Sequence, residues 1–162
     1  MAKKYWLMKS EPDDFSWDDL LKSKDQTTPW TGVRNYQARN IMRDQMKVGD
    51  GVLFYHSNAK PQDIPGLAVV ASEPFPDPTQ FEKKSKYFDP NSTLDAPRWM
   101  CVDVRADAIF EREVTRDALK ENEALAEMMV LQKGARLSVQ PVSSEHWKII
   151  RKMGRPKKIH AD

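Results

Sequence analysis

Cysteine, histidine and long apolar runs are all scarce in this sequence. The one cysteine, Cys101, cannot form an internal disulfide and excludes a zinc site built from several cysteines. The three histidines are scattered without the spacing of metal ligands. The longest apolar stretches, such as 52–55 and 67–71, are far shorter than the ~20 residues that a transmembrane helix needs, and no cleavable signal pattern is present. We therefore expect a soluble, cytoplasmic protein of a reducing compartment, without a metal, a cofactor or a membrane partner.

Signatures of catalysis are also missing. The sequence has no phosphate-binding Gly-x-x-x-x-Gly-Lys motif and no Gly-x-Ser-x-Gly nucleophile elbow. Cys101 lies in an apolar stretch, which is typical of a buried, inert thiol. If the protein were an enzyme, the remaining candidates for a general acid or base would be residues such as Glu11 and His56. The motifs therefore favour a non-catalytic protein.

The charge is unevenly distributed along the chain. The formal net charge is +2, but residues 151–162 contain five basic side chains and one acidic one, a net of +4. Residues 1–150 carry 21 basic and 23 acidic side chains, a net of −2. A protein that binds nucleic acid over its whole surface is usually basic throughout. We therefore expect nucleic-acid recognition by the body of the protein, if any, to use a local pocket.

Length and hydrophobic pattern predict one domain of mixed strands and short helices. The chain has 162 residues, of which 40% are hydrophobic, enough for one core. Alternating or continuous apolar runs predict five strands, and helical spacing predicts four helices. The predicted strands are 5–8, 52–56, 66–71, 99–105 and 137–142. The predicted helices are a short one capped by Ser16, one over 35–46 with Asn35 as its cap, one over about 115–131, and a last one capped by Ser144. This pattern favours an α+β fold, a small, partly open β-barrel with peripheral helices.

The segment 74–98 differs from the rest in composition. It contains five of the eleven prolines together with Phe75, Phe81, Tyr87 and Phe88. Irregular connections of this length are uncommon unless they are functional or disordered, and four aromatic residues argue against disorder. We therefore predict a packed loop that covers another part of the molecule.

Aromatic and hydrogen-bonding side chains are concentrated in three segments. Trp30 begins the sequence WTGVRNYQARN, and KSEP at 9–12 and YHSN at 55–58 are also rich in polar groups. Planar rings next to donors and acceptors suit a flat heterocycle, since stacking a nucleobase contributes about 1–3 kcal/mol. Each residue also has a purely structural interpretation, with Trp30 in the core, Asn35 as a helix cap, and Tyr55 and His56 as ordinary strand residues.

Taken together, six segments resemble the EVE domain family. They occur in the expected order between residue 6 and about residue 150. The segments are WLMKSEP (6–12), WTGVRNYQARN (30–40), VGD (48–50), YHSN (55–58), GLA (66–68) and GARLSVQPV (134–142). The resemblance implies a PUA-like fold, a small mixed β-barrel with short peripheral helices, over residues 1–150. It leaves 151–162 as a basic C-terminal tail.

The resemblance also implies a function. EVE domains are related to YTH domains, which read methyladenosine in RNA, and the family is regarded as readers of modified bases. Lys9 and Ser10 match the Lys-Ser pair of the YTH pocket, Trp30 matches a pocket tryptophan, and Asn35 matches a pocket asparagine. The sequence departs from YTH domains in 74–98, which lacks the further cage tryptophans. The expected partner is DNA rather than RNA, with a modified cytosine flipped into an aromatic and polar pocket.

Two groups of residues follow as candidates for this function. The expected base pocket comprises Lys9, Ser10, Glu11, Trp30, Val33, Asn35, Tyr36, Tyr55, His56, Ser57, Phe75 and Ser138. The expected contacts to the nucleic-acid backbone are Arg34, Arg39, Arg151, Lys152, Arg155, Lys157 and Lys158. The last three belong to the sequence GRPKK, which partly matches an AT-hook, although Met153 stands where the fuller motif has arginine.

Two other functions remain open at this point. One is an RNA-binding accessory domain that uses backbone contacts, which would need a broad basic surface. The other is an enzyme on a PUA-like barrel, with Glu11 and His56 as acid and base. The expected state is a monomer, located with the nucleoid in a bacterium or in the nucleus in a eukaryote.

Overall fold

One curled sheet forms the centre of the structure, a computed structural model that describes residues 2–160. Met1 and the last two residues of the expected tail, Ala161 and Asp162, lie outside the described residues. Within 2–160 the strands are β1 (Tyr5–Ser10), β2 (Thr27–Pro29), β3 (Gly51–His56), β4 (Asp63–Val70), β5 (Phe75–Pro76), β6 (Met100–Cys101), β7 (Asp103–Thr115), β8 (Val139–Val142) and β9 (Pro156–Lys158). The main sheet has the order β2-β7-β4-β3-β1-β8, and β9 also pairs with β7. This is the α+β, PUA-like half-barrel that the sequence predicted.

Short helices surround the sheet. The α-helices are α1 (Trp17–Lys22), α2 (Tyr36–Asn40), α3 (Arg116–Glu121) and α4 (Ser144–Gly154), and α2 continues as a π-helical turn over Ile41–Gln45. A capping box starts α1 after Ser16, where a helix was predicted, because Ser16 accepts from the Asp19 amide and Asp19 accepts from the Ser16 amide. The cap of α4 is Ser143 rather than Ser144. No helix within 2–160 combines the length and apolarity needed to cross a bilayer.

The predicted helix over 115–131 is wrong beyond residue 121. Asn122 has an extended backbone, and its side chain accepts from the amide of Ala124, which starts a new short turn instead of another helical one. Single 3-10 turns then cover Glu123–Leu125 and Met129–Leu131. The apolar residues that suggested a helix, including Leu119 and Leu125, are nevertheless buried.

Both faces of the sheet are buried, which explains the unbroken apolar runs in the sequence. In β1, Trp6 and Met8 enter one core while Leu7 enters the other. In β3, Phe54 and Tyr55 divide between the two cores in the same way. A strand covered on both faces reads as a continuous apolar run rather than as an alternating one.

Strand β7 is much longer than predicted, since it continues from residue 105 to Thr115. Its pairing with β4 shifts between Leu67, which faces Ala108, and Ala68, which faces Ala106. This irregularity leaves an extra residue in β7, so Ala106 enters one core and Ala108 the other. The sequence prediction stopped at residue 105 because the next two alternating apolar positions, Ala106 and Ala108, are alanines, whose hydrophobic signal is weak.

The loop 74–98 is packed, as its composition predicted. Gln80 lies at its centre and is fully buried. Its amide nitrogen donates to the carbonyls of Asp77 (2.7 Å) and Trp99 (2.8 Å), and its amide oxygen accepts from the amide of Trp99 (3.0 Å) and from Ser92 (2.5 Å). These four bonds tie both ends of the loop together, because buried amide groups are stable only when they are paired.

The basic C-terminal segment is not a separate tail over its described part. Residues 151–154 complete α4, and β9 pairs with the middle of β7, with Pro156 opposite Phe110 and Lys158 opposite Ala108. Gly154 packs against Phe110 so closely that a Cβ there would lie 2.3 Å from its ring. An AT-hook follows the minor groove as a free extended chain, so this segment would have to leave the sheet to act as one.

A buried carboxylate fixes the start of β1 and β3. Asp50 is 3% exposed and accepts from Trp6 Nε1 (3.0 Å) and from the amides of Lys4 (3.1 Å) and Lys47 (3.0 Å). We expect Asp50→Asn to lower the free energy of unfolding by about 2–3 kcal/mol, because an amide nitrogen then faces N–H donors. Urea denaturation measures this change, and the exposed Asp117→Asn is the control. A loss equal to that of the control would contradict the role of Asp50.

Candidate functional site

A cleft of about 1300 Å³ opens at one end of the half-barrel. The parallel strands β1 and β3 both end there, at Ser10 and His56, and β8 begins beside Met8. The segment that follows β2 and part of the loop 74–98 complete its wall. The cleft therefore collects residues from five distant parts of the sequence.

The β1 and β8 side of the cleft is polar. The backbone is fixed because the Lys9 amide donates to the Ser138 carbonyl (2.8 Å) and the Ser57 amide donates to the Ser10 carbonyl (3.0 Å). The Ser10 hydroxyl donates to the Phe15 carbonyl (2.5 Å), which leaves its lone pairs to accept from a ligand. Three serines, Ser10, Ser57 and Ser138, line the cleft here.

Lys9 is the cation of this polar side. Its Nζ donates to the carbonyl of Ala135 at 3.3 Å, which leaves two of its three N–H donors for other partners. Burial, and to a lesser extent the charge of Arg116, holds the pKa of Lys9 below its ordinary value. A partly buried ammonium with spare donors favours an oxygen acceptor in the cleft.

Trp30, from the segment that follows β2, also lines the cleft. It is 7% exposed, its amide donates to the Val102 carbonyl (2.9 Å), and its ring meets Phe54 edge to face at 5.5 Å. Most of the indole thus belongs to the core, while its remaining surface borders the cleft. Trp30 is therefore both a core residue and a lining residue of the cleft, the two roles that the sequence indicated for it.

Tyr87 is the second aromatic residue of the wall and comes from the loop 74–98. It packs against Gly32, where an added Cβ would lie 2.7 Å from the tyrosine ring. Gly32 also has a φ of +84°, which favours glycine. Both features require glycine at this position, so the sequence WTGVR lets an aromatic ring of a distant loop pack against Gly32, two residues after Trp30.

Arg34 and Asp77 hold this loop in place. Asp77 is 1% exposed and accepts from Arg34 Nη1 (3.0 Å) and from the amide of Gly32 (2.8 Å). Arg34 Nη2 donates to the Tyr87 carbonyl (2.7 Å) and to Thr79 Oγ1 (3.0 Å). The sequence predicted that Arg34 would contact a nucleic-acid backbone. In the structure its guanidinium instead bonds to the loop 74–98 and holds that loop in place.

The mouth of the cleft carries charges of both signs. Asn58 donates to Glu11 Oε1 at 2.7 Å, and Lys86 Nζ lies 3.4 Å from Asp14 Oδ1. The Lys86–Asp14 pair is exposed, so it contributes little to stability and can be displaced by a ligand. Within the part of the chain that the structure describes, no cluster of histidine, cysteine and acidic residues is arranged to hold a metal ion.

The structure brings most of the expected pocket residues together. Those that line the cleft are Lys9, Ser10, Glu11, Trp30, Val33, Ser57 and Ser138, together with Arg34. Those that do not line it are Asn35, Tyr36, Tyr55, His56 and Phe75.

Helix α2 explains why Asn35 and Tyr36 lie outside the cleft. Asn35 caps the helix, since its Oδ1 accepts from the amide of Ala38 (3.0 Å). Tyr36 is 51% exposed and stacks on Trp99 at 4.8 Å, and the guanidinium of Arg39 covers its ring at 4.7 Å. Arg39 also donates to the carbonyl of Arg98 (2.8 Å), so its side chain too is held by the protein.

Strand direction and pairing explain the other three. Tyr55 points into the second core, where burial raises its pKa to about 12, and its hydroxyl donates to Gln62 (2.9 Å). His56 Nε2 accepts from the amide of Trp17 (3.0 Å), so its ring proton is on Nδ1, which contacts Asp63 (2.9 Å). Phe75 pairs with Cys101 in the small β5-β6 sheet. Both ring nitrogens of His56 are therefore occupied by other groups of the protein.

Several cleft residues were missed by sequence reasoning. They are Asp14, Phe15, Thr28, Pro29, Thr31, Gly32, Asn58, Gln62, Lys86, Tyr87, Ala135 and Arg136. Asn58 and Tyr87 belong to segments that the sequence singled out, but nothing local distinguishes Tyr87 from the other three aromatic residues of its loop. The C-terminal cations Arg151, Lys152, Arg155, Lys157 and Lys158 do not line the cleft.

The chain is similar to known proteins in both sequence and structure. The family model described as the EVE domain matches residues 4–153. Human thymocyte nuclear protein 1 is 41% identical to this chain over 90% of the chain and 72% of the human protein. Among solved structures, a hypothetical protein from Leishmania major is 46% identical with a TM-score of 0.88, covering 95% of this chain and 96% of that one.

A second solved structure carries a ligand. It is human THYN1 protein in complex with DNA containing 5-methylcytosine, 38% identical to this chain with a TM-score of 0.88. The match covers 96% of this chain and 99% of the human one. The similarity therefore extends over the sheet, the loop 74–98 and the cleft.

Proposed function

The chain belongs to the EVE domain family, and we propose that it is a non-catalytic DNA-binding module that accepts one modified base, a modified cytosine, in the cleft beside Trp30 and Tyr87. The observation that carries the proposal is the chemistry of that cleft, which is lined by two aromatic residues, three serines and a lysine. The human relative in complex with 5-methylcytosine DNA supports the choice of partner. DNA as partner implies a location in the nucleoid or the nucleus.

The size of the cleft suits an extruded nucleotide. Ligand pockets usually measure about 300–1000 Å³. At about 1300 Å³, this cleft has room for a base together with its sugar and phosphate. Extrusion from a duplex costs a few kcal/mol, and stacking of the base offsets this cost by about 1–3 kcal/mol.

The polar side of the cleft would read the edge of the base. Cytosine presents a carbonyl and a ring nitrogen as acceptors and an amino group as donor. The spare N–H donors of Lys9 suit the acceptors, while the lone pairs of Ser10 suit the amino group. Asn35, which the family resemblance assigned to the pocket, does not line the cleft, and its amide oxygen accepts from the amide of Ala38.

An enzymatic role is disfavoured by the hydrogen bonds of the candidate acid and base. His56 lies outside the cleft with both ring nitrogens occupied, and Glu11 accepts from Asn58. Burial raises the pKa of the Cys101 thiol to about 12, so no thiolate nucleophile forms near neutral pH.

Fluorescence anisotropy tests this function with labelled oligonucleotides that differ only in one 5-methylcytosine. A single buried methyl group contributes about 0.8 kcal/mol, so we expect about fourfold tighter binding of the methylated strand. An RNA strand of the same sequence serves as the comparison for an RNA-binding role. Equal affinity for methylated and plain DNA, or tighter binding of plain RNA, would overturn the proposal.

A further inference from the structure

Two loops at the rim of the cleft carry exposed cations. One is the sequence KKSKY at 83–87, in which Lys86 and Tyr87 line the cleft. The other is the turn 132–136, in which Arg136 lines it and Lys133 lies three residues earlier. The rim loops, as we call residues 83–86 and 133–136, therefore contain five cations: Lys83, Lys84, Lys86, Lys133 and Arg136.

Most of these cations have no protein partner. Among residues 2–160, Lys83, Lys84, Lys133 and Arg136 make no hydrogen bond or ion pair through their side chains. Lys86 Nζ lies 3.4 Å from Asp14 Oδ1 and 5.1 Å from the centre of the Tyr87 ring, and its side chain is exposed. Unpaired cations near a cleft raise the local positive potential and attract an anionic ligand, although the net charge of residues 1–150 is −2.

The rim loops belong to different walls of the cleft. Lys86 precedes Tyr87, which packs against Gly32 on the Trp30 side. Arg136 follows Ala135, whose carbonyl accepts from Lys9 on the β1 and β8 side. A strand that places one base in the cleft must pass over its mouth, so the flanking phosphates come close to both loops.

The other cations expected at the backbone are less suited to phosphates. The guanidinium of Arg34 is bonded to Asp77 and the Tyr87 carbonyl, and that of Arg39 is bonded to the Arg98 carbonyl and covers Tyr36. Lys158 lies 3.9 Å from Asp107 on β7. None of the C-terminal cations lines the cleft.

We propose that the phosphodiester backbone of the bound strand crosses the mouth of the cleft between the two rim loops and contacts their cations. This inference rests on the proposed function, since it assumes that a nucleotide occupies the cleft. It assigns the electrostatic part of binding to residues 83–86 and 133–136 instead of to the C-terminal segment.

The salt dependence of binding tests this assignment with three double variants of equal charge change. They are Lys83→Ala with Lys84→Ala at the rim, Arg151→Ala with Lys152→Ala at the C-terminal segment, and Arg112→Ala with Lys120→Ala as the control. Each phosphate contact contributes about 0.9 to the slope of log K against log salt concentration for duplex DNA and about 0.7 for a single strand. We expect the slope of the rim variant to fall by about 1.8 with duplex DNA, or by about 1.4 with a single strand. The other two variants should keep the slope of the wild type.

The outcomes separate this inference from the proposed function. A rim variant with the wild-type slope, or a slope that falls only in the C-terminal variant, would overturn the inference. The ratio of affinities for methylated and plain DNA, measured in the same titrations, reports on the base pocket independently. A ratio of one with a reduced slope in the rim variant would refute the base pocket and leave the backbone contact standing, while no binding to DNA at all would refute both.

Discussion

Alanine at Tyr87 is expected to lower the affinity for DNA containing a modified cytosine by about 5- to 150-fold. This range corresponds to the roughly 1–3 kcal/mol that stacking a base on an aromatic side chain contributes. Tyr87 is half-buried and lines the cleft, and the cation nearest its ring is the exposed Lys86, whose Nζ lies 5.1 Å from the ring centre. Anisotropy titration of the variant with the methylated oligonucleotide measures the loss.

Two variants control this prediction. Tyr87→Phe keeps the ring and should bind within about twofold of the wild type, because stacking does not need the hydroxyl group. Tyr36→Ala removes an exposed tyrosine outside the cleft and should also leave affinity unchanged. An affinity loss in Tyr36→Ala as large as that in Tyr87→Ala would place the bound base on helix α2 instead.

Replacing Asp77 with alanine is expected to destabilise the protein by about 3 kcal/mol and to weaken DNA binding as well. Removing one partner of a buried ion pair commonly costs about 3–5 kcal/mol, and the lower value applies because Arg34 keeps some contact with water. The change also leaves the amide of Gly32 without its acceptor. Urea denaturation measures the stability, and limited proteolysis within 74–98 reports whether the loop has loosened.

The control for Asp77 is the exposed pair between Arg43 and Asp44. Its two side chains are 41% and 54% exposed, so Asp44→Ala should change neither stability nor proteolysis. Unchanged stability in Asp77→Ala would mean that the Arg34–Asp77 clamp does not hold the loop.

The sequence predicted the parts of the fold that local chemistry determines. The capping box at Ser16, the cap at Asn35 and the apolar runs of β1 and β3 follow from residues close together in the chain. The pairing of β9 with β7 and the irregularity near Ala106 depend on distant residues, and neither has a local signal. Helix 115–131 was overextended because buried short turns share the apolar spacing of a helix.

The sequence also predicted only those site residues that local chemistry indicates. Lys9, Ser10 and Trp30 lie in segments whose residue types indicate a pocket, and they line the cleft. Tyr55 and His56 adjoin Ser57 in sequence, but the end of strand β3 turns their side chains elsewhere. Tyr87 reaches the cleft only because Asp77 and Arg34 fold its loop back onto Gly32.

The central claim is that a modified base lies in the cleft beside Trp30 and Tyr87, and intermolecular nuclear Overhauser effects test it most directly. The probe is an oligonucleotide with a ¹³C-labelled methyl group on a single 5-methylcytosine, bound to the intact chain. The account predicts contacts from that methyl group to ring protons of Trp30 or Tyr87. A methyl group that contacts only residues outside the cleft, or that remains stacked within the DNA, would contradict it.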